Sequence, residues 1–172
     1  MNILALNWND FKNPFAGGAE VHLEELLRRL VTYGHQVTLV CSGWPGCAEE
    51  ETIEGVRIIR RGQRHYFNMV VPFLLRDLVK REKFDILVED INKIPLFLAG
   101  LTTGPVGVII PHLFGTTAFQ EAAWPMAALV WLLERPIPGA YRRAGFHAIS
   151  ESTRDDLVAR GVARERITVI HP

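Results

Sequence analysis

The sequence predicts a doubly wound α/β fold on a mostly parallel sheet, and three observations carry that expectation. Strand-like and helix-like segments alternate from end to end, which is the order of a parallel sheet wrapped by helices. Two of the strands, FDILVED and VGVIIPH, are near-continuous apolar runs of the kind buried on both faces of such a sheet. The chain has 172 residues, 48% hydrophobic and 22% charged, enough for one well-buried core. A single domain over residues 1–172 is expected.

Each element follows from its local pattern. Residues 3–6 (ILAL) form the first strand. Leu23, Leu26, Leu27, Leu30 and Val31 then repeat at i, i+3, i+4, i+7 and i+8, a single helical stripe. Glu24 and Glu25 lie opposite it, each four residues ahead of Arg28 or Arg29 in the favourable order. Gly34 closes this helix, and residues 37–41 (VTLVC) give the second strand. GVRIIRR is a short strand, and YFNMVVPFLLRDLVKREK a helix with the stripe Val71, Leu74, Leu75, Leu78 and Val79. Pro72 is expected in its first turn. The strands FDILVED and VGVIIPH follow, then helices over FQEAAWPMAALVWLLER and IPGAYRRA, and a strand GFHAIS. A short helix starting at Ser152, with Asp155 three residues on as a capping-box-like partner, leads to the last strand, RITVI. No internal repeat or low-complexity linker interrupts the series.

Composition excludes several functions. Lysine plus arginine equals aspartate plus glutamate at 19 each, so no bulk charge favours nucleic acid. Small molecules are the expected partners. Cys41 and Cys47 have neither zinc-ligand spacing nor the density of a secreted disulfide scaffold, which fits a reducing cytoplasm. The N-terminus enters an apolar strand without a basic lead or cleavage site, so no signal peptide is expected. The longest apolar stretch, residues 118–133, falls short of the roughly 20 residues a bilayer requires and is interrupted by Glu121 and Pro125.

In an open α/β sheet the ligand crevice lies beyond the carboxyl ends of the strands. The polar and unusual residues gather there, in NWND, EDINK, HLFG and SEST. A dinucleotide-binding dehydrogenase is disfavoured: G-x-G-x-x-G is absent, and the second strand ends in Cys41-Ser42 where an acidic ribose ligand belongs. No G-x-x-x-x-G-K-[ST] is present either, which excludes a P-loop NTPase. Gly17 and Gly18 sit at the start of the first helix, although glycine in a helix costs roughly 1 kcal/mol against alanine. Two explanations stand: a tight turn needing positive φ, or bare backbone that lets a phosphate approach the unpaired N–H groups of a helix N-terminus.

The segments GGAEVHLEELLRRLVTYGHQVTLV, INKIP, PHLFG, AISESTRDDLVARGV and RITVIHP, in that order over essentially the whole chain, resemble the N-terminal half of a family GT4 retaining glycosyltransferase of the GT-B fold. The resemblance implies two Rossmann-like domains facing across a cleft, with the nucleotide-sugar donor held mainly by the C-terminal one. This chain would be the acceptor-side domain. The family's E-x7-E signature belongs to the other domain, and no glutamate pair here has that spacing. The chain is therefore expected to be a fragment without its nucleotide-sugar-binding domain, inactive by itself.

The resemblance also implies residue roles. Gly17 and Gly18 would face the donor diphosphate. His112 can be satisfied by backbone carbonyls, as lone histidines often are; its position before Leu113, Phe114 and Gly115 resembles the family's cleft histidine, which contacts the donor sugar near the reacting carbon. Positioning and polarisation are its expected work, since the leaving phosphate takes the acceptor proton in a front-face mechanism. Asn9, Glu89, Asp90, Asn92, Lys93 and Ser150 would bind the acceptor, though EDINK also reads as a solvated loop. No metal or other cofactor is implied beyond the nucleotide-sugar co-substrate. The acceptor would be a glycan, a lipid-linked molecule or a small molecule. Arg57, Arg60, Arg61 and Arg64, beside His65, Tyr66 and Phe67, and Lys80, Arg81 and Lys83 read either as solvated faces or as a surface for peripheral contact with anionic lipid at the inner face of the membrane. His22 and His65 are expected to be exposed. Two other readings remain: half of a non-hydrolysing nucleotide-sugar epimerase, and a non-catalytic acceptor- or membrane-binding module.

Overall fold

The computed structural model describes residues 1–92, 94–113 and 124–171. Its frame is one eight-stranded sheet: β1 (Asn2–Leu6), β2 (Gln36–Gly43), β3 (Glu50–Ile53), β4 (Val56–Gln63), β5 (Ile86–Asp90), β6 (Val106–Ile110), β7 (Gly145–Ala148) and β8 (Ile167–Val169). Across the sheet they run β3-β4-β2-β1-β5-β6-β7-β8. Every neighbouring pair is parallel except β3 with β4. The chain builds outward from β1 through β2 and β4, then returns to β1's other side with β5. The order of the strands thus reverses between β1 and β5, and in an open α/β sheet that switch point is where a crevice opens.

Strand alternation divides the core into two layers. Ile3 and Ala5 of β1, Val37, Leu39 and Cys41 of β2, and Val56 and Ile58 of β4 pack against Leu23 and Leu27 of α1 (Gly18–Thr32). Leu4, Leu6, Val40 and Ile59 point the other way. They meet Phe67, Val71 and Leu75 of α2 (Phe67–Arg81), and the same layer continues to Ile137 of α4 (Ile137–Ala140) and Leu157 of α5 (Glu151–Ala159). In the chain α3 (Trp124–Glu134) directly precedes α4. The predicted stripe of α1 is the one that packs, and Gly34 has φ of +83° just past the helix, the left-handed value that ends it. Residues 119–123 of the predicted helix before α3 lie outside the described residues.

Four local expectations are corrected. The strand β3 was not foreseen, because EETI is charged and makes its hydrogen bonds only at the sheet edge. It forms a hairpin with β4 through Glu54 and Gly55, both at positive φ (49° and 83°), the two-residue turn that matches strand twist. Pro72 lies inside α2 rather than in its first turn. The helix begins at the buried Phe67, five residues before Pro72, with the N–H groups of Met69 and Val70 donating to the Tyr66 carbonyl. The N-cap of α5 is Ser150, whose Oγ accepts the Thr153 N–H at 3.1 Å, two residues ahead of the expected Ser152. His22 is half-buried, its ring 6.1 Å from that of His147 on β7.

Candidate functional site

The strand order brings the predicted residues to one edge. Asn9 follows β1, Asp90 ends β5 with Asn92 just beyond, His112 follows β6 and Ser150 follows β7. These four strands are consecutive neighbours in the sheet. Lys93, Phe114 and Gly115 lie outside the described residues.

At the switch point the first helix begins on bare backbone. Gly17 is the N-cap, extended at φ −134°, and neither it nor Gly18 has positive φ. Among the described residues a Cβ on Gly18 would meet nothing within 4 Å, and one on Gly17 would meet only Glu20 Oε2, at 3.6 Å. The left-handed-turn explanation is thereby removed. What remains is open backbone at the positive end of a 15-residue helix. The N–H of Gly17 itself donates to Glu20 Oε2 at 2.7 Å. The N–H groups of Gly18, Ala19 and Glu20 in the first turn have no earlier helical carbonyl to satisfy them.

Glu20 organises this corner. Its carboxylate is buried, and Oε1 accepts from Asn9 Nδ2 at 3.1 Å and from Asn92 Nδ2 at 3.0 Å. The residue was missed in the sequence although it carried a signal, since Glu at the third helical position is the reaching-back half of a capping box. Asn9 is fully enclosed. It supports the crevice wall from behind, as does the neighbouring Asn7, whose Oδ1 accepts the Trp8 N–H at 2.7 Å. Trp8 in turn donates from its indole to the Ile94 carbonyl at 2.8 Å, tying the loop after β1 to the loop after β5.

Glu89 is likewise enclosed. Its carboxylate accepts from the Leu96 and Leu98 N–H groups at 2.7 and 3.3 Å and from the Tyr141 hydroxyl at 2.7 Å. Burial raises its pKa, against the lowering effect of those donors. Glu89 thus shapes residues 96–98 from within the fold, and Tyr141 is a partner that no local sequence pattern indicated. Asp90 is buried at the end of β5. Asn92 is half-buried, and His112 is exposed at the edge beyond β6. Besides capping α5, Ser150 Oγ lies 2.9 Å from Ser152 Oγ and from Thr153 Oγ1, and Thr153 Oγ1 donates to the Pro111 carbonyl at 3.3 Å, so the cap also braces the segment leading to His112.

Much of the basic group beside β4 proves to be paired. Arg60 is buried, bridged to Asp10 at 2.6 Å and Glu51 at 2.7 Å. Arg57 meets Glu82 at 2.8 Å, and Arg61 meets Glu50 at 2.8 Å. Arg64 lies over the exposed Phe15 ring, 5.0 Å from its centre. On the outer side of α2, Tyr66, Met69 and Phe73 are exposed at helical spacing. Among the described residues no helix is long and apolar enough to cross a membrane, and no three His, Cys, Asp or Glu side chains converge as a metal site would require.

An open, mostly parallel sheet with polar groups and a glycine-started helix at its switch point defines a Rossmann-like domain. The chain belongs to glycosyltransferase family 4, whose sequence profile matches residues 16–172. No curated protein matches it by direct sequence comparison. Among solved structures, sucrose-phosphate synthase from Thermosynechococcus elongatus is similar at a TM-score of 0.68 and 12% identity, over 99% of this chain and 47% of that one. The lipopolysaccharide outer core galactosyltransferase WaaB is similar at 0.58 and 11%, over 99% and 45%. UDP-GlcNAc 2-epimerase from Methanocaldococcus jannaschii is similar at 0.56 and 12%, over 98% and 44%. At such identities these likenesses establish the fold. The chain spans less than half the length of each of them.

Proposed function

We propose that this chain is the N-terminal, acceptor-side domain of a retaining glycosyltransferase that moves a sugar from a nucleotide-sugar donor to a glycan, lipid-linked or small-molecule acceptor, with a second domain holding the donor nucleotide. The observation that carries the reading is the open start of α1 at the β1/β5 switch point, in a chain of family 4: no described residue lies within 4 Å of where a Gly18 side chain would stand. The Gly18 and Ala19 N–H groups and the helix dipole would stabilise charge gathering on the leaving diphosphate. His112 would position and polarise the donor sugar. Asp90, Asn92 and Lys93 would meet the acceptor, whose hydroxyl attacks C1 on the face the diphosphate leaves, its proton passing to the departing phosphate oxygen. No bound metal is needed for that step.

The chain would work in the cytoplasm. Contact with the inner face of a membrane is part of the proposal, and its support moves from the paired arginines of β4 to the exposed Tyr66, Met69 and Phe73 of α2 with Arg64. The epimerase reading is supported by the epimerase-like fold, and family membership favours transfer. Incubating the complete protein with a panel of nucleotide sugars and acceptors separates the two. Release of nucleoside diphosphate with a new glycosidic bond of unchanged anomeric configuration supports transfer; recovery of the C2-epimer of the donor overturns it. In the transferase, His112→Ala should lower kcat about ten- to a hundred-fold with the melting temperature kept, since an exposed strand-end residue acts mainly in the transition state.

A further inference from the structure

We infer that Glu20 is a positioning residue that holds the glycine backbone of α1 and the amide of Asn92 in one fixed arrangement, so that the two sides of the crevice keep register during transfer. The inference rests on the transferase reading for its kinetic consequence, and on geometry alone for its structural one.

Gly17 has no side chain with which to cap α1, so the start of the helix depends on the reverse contact, from Glu20 Oε2 back to the Gly17 N–H at 2.7 Å. The same carboxylate reaches across the switch point. Its Oε1 takes Nδ2 hydrogens from Asn9, on the loop after β1, and from Asn92, on the loop after β5. The loop after β1, the start of α1 and the distant loop after β5 are thereby held by one buried side chain. A carboxylate accepts and never donates, so it also dictates which way both amides face: each Nδ2 turns toward Glu20 and each Oδ1 away. Asn92 is the half-buried member of the pair, and its Oδ1 is buried without a hydrogen-bond partner among the described residues, so turning the amide would exchange an acceptor for a donor there. The negative charge is tolerated because the first turn of a helix favours it and three N–H donors converge on it.

Glutamine has the same shape but brings a donor where Glu20 only accepts. Glu20→Gln should therefore keep the fold while releasing one of the three contacts and allowing Asn92 to turn. In the complete protein two readouts are taken. Amide hydrogen exchange at Gly17, read in Glu20→Ala where the contact is lost outright, should speed up about ten-fold or more, the change expected when a bond to a charged group is lost. In steady-state transfer kcat should fall about ten- to a hundred-fold with donor KM nearly unchanged, because the residue acts on geometry rather than on donor affinity. Asn92→Ala and the double variant complete a cycle: if Glu20 acts through Asn92, the double loses less in kcat/KM than the product of the single losses. Should Glu20→Gln lower stability, Asn92→Ala and Glu20→Asp carry the same comparison, with activity normalised to folded protein. Unchanged Gly17 exchange, or independent losses in the cycle, overturns the inference. If the complete wild-type protein transfers no sugar, the functional proposal falls, and exchange at Gly17 by itself decides the role of Glu20.

Discussion

Two buried polar clusters lie on either side of β1, and they are built on opposite principles. Beside β4, Arg60 is clamped between Asp10 and Glu51, the Cys41 thiol donates to Asp10 at 3.3 Å, and Arg60 Nη1 also bonds the Ala48 carbonyl at 3.0 Å. Burial, and then Asp10, hold the Cys41 thiol well above its usual range. Between β1 and β5 the Glu20 carboxylate is met by two side-chain amides and a backbone N–H. The first cluster joins charges that would be very costly to leave single, so it locks a loop in place. The second gathers two amides and a backbone N–H on one carboxylate beside an exposed helix start, an arrangement that shapes a surface for something else to touch. The pair teaches that burial of polar groups does not distinguish a support from a site; what lies next to them does.

Breaking the first cluster should give the largest effect on stability. Arg60→Ala strands the buried Asp10 carboxylate, and a loss of about 3–5 kcal/mol in denaturant unfolding is expected. Whatever activity the complete protein has should fall only as its folded fraction falls. A folded Arg60→Ala protein with impaired transfer would place this cluster in the site and end the contrast.

The opposite pattern is expected at the helix start. Gly18→Val meets no neighbour and no left-handed backbone, so stability should change by less than about 1 kcal/mol. The added branched side chain would cover the Gly18 and Ala19 N–H groups, and transfer by the complete protein should fall about a hundred-fold or more, the scale of one lost oxyanion-type donor. Unchanged kcat/KM alongside unchanged melting would remove the phosphate proposal.

A third test separates support from site within the crevice wall. Glu89 has its pKa raised by burial, so the folded chain holds that proton at a pH where the unfolded chain has released it. Its contribution to stability is therefore fully present below the ordinary carboxylate range and declines as pH rises through that range to the raised value. Tyr141→Phe removes a donor that favours the charged form, which pushes the pKa further up. The loss should be small in mild acid and reach about 2 kcal/mol near neutral pH, measured as the difference in unfolding between pH 5 and pH 8. A loss equal at both values would mean that Tyr141 acts by packing alone.

How far the sequence reached is clearest in α1 and Arg60. The stripe of α1, its glycine start and its Gly34 stop are short-range matters of period and backbone conformation, and they were legible without a structure, as was the alternation that makes the sheet. The same holds for residues at strand ends: Asn92, His112 and Ser150 were expected at the carboxyl edge and lie there. Arg57, Arg60 and Arg61 read equally well as a basic face, because nothing local shows that Asp10, Glu82 and Glu49 to Glu51 come to meet them. The charged strand β3 was hidden for a related reason, since its partner supplies what its composition lacks.

Local order therefore determined which elements form and which polar residues end them. The tertiary structure decided which of those residues face the crevice and which face one another. Glu89 and Asn92 stand three positions apart in sequence, yet one is enclosed by Tyr141 and residues 96–98 while the other meets Glu20 at the opening. That division depends on β5 lying beside β1 while the chain from β1 proceeds to β2, a long-range choice of neighbours that no window of sequence contains.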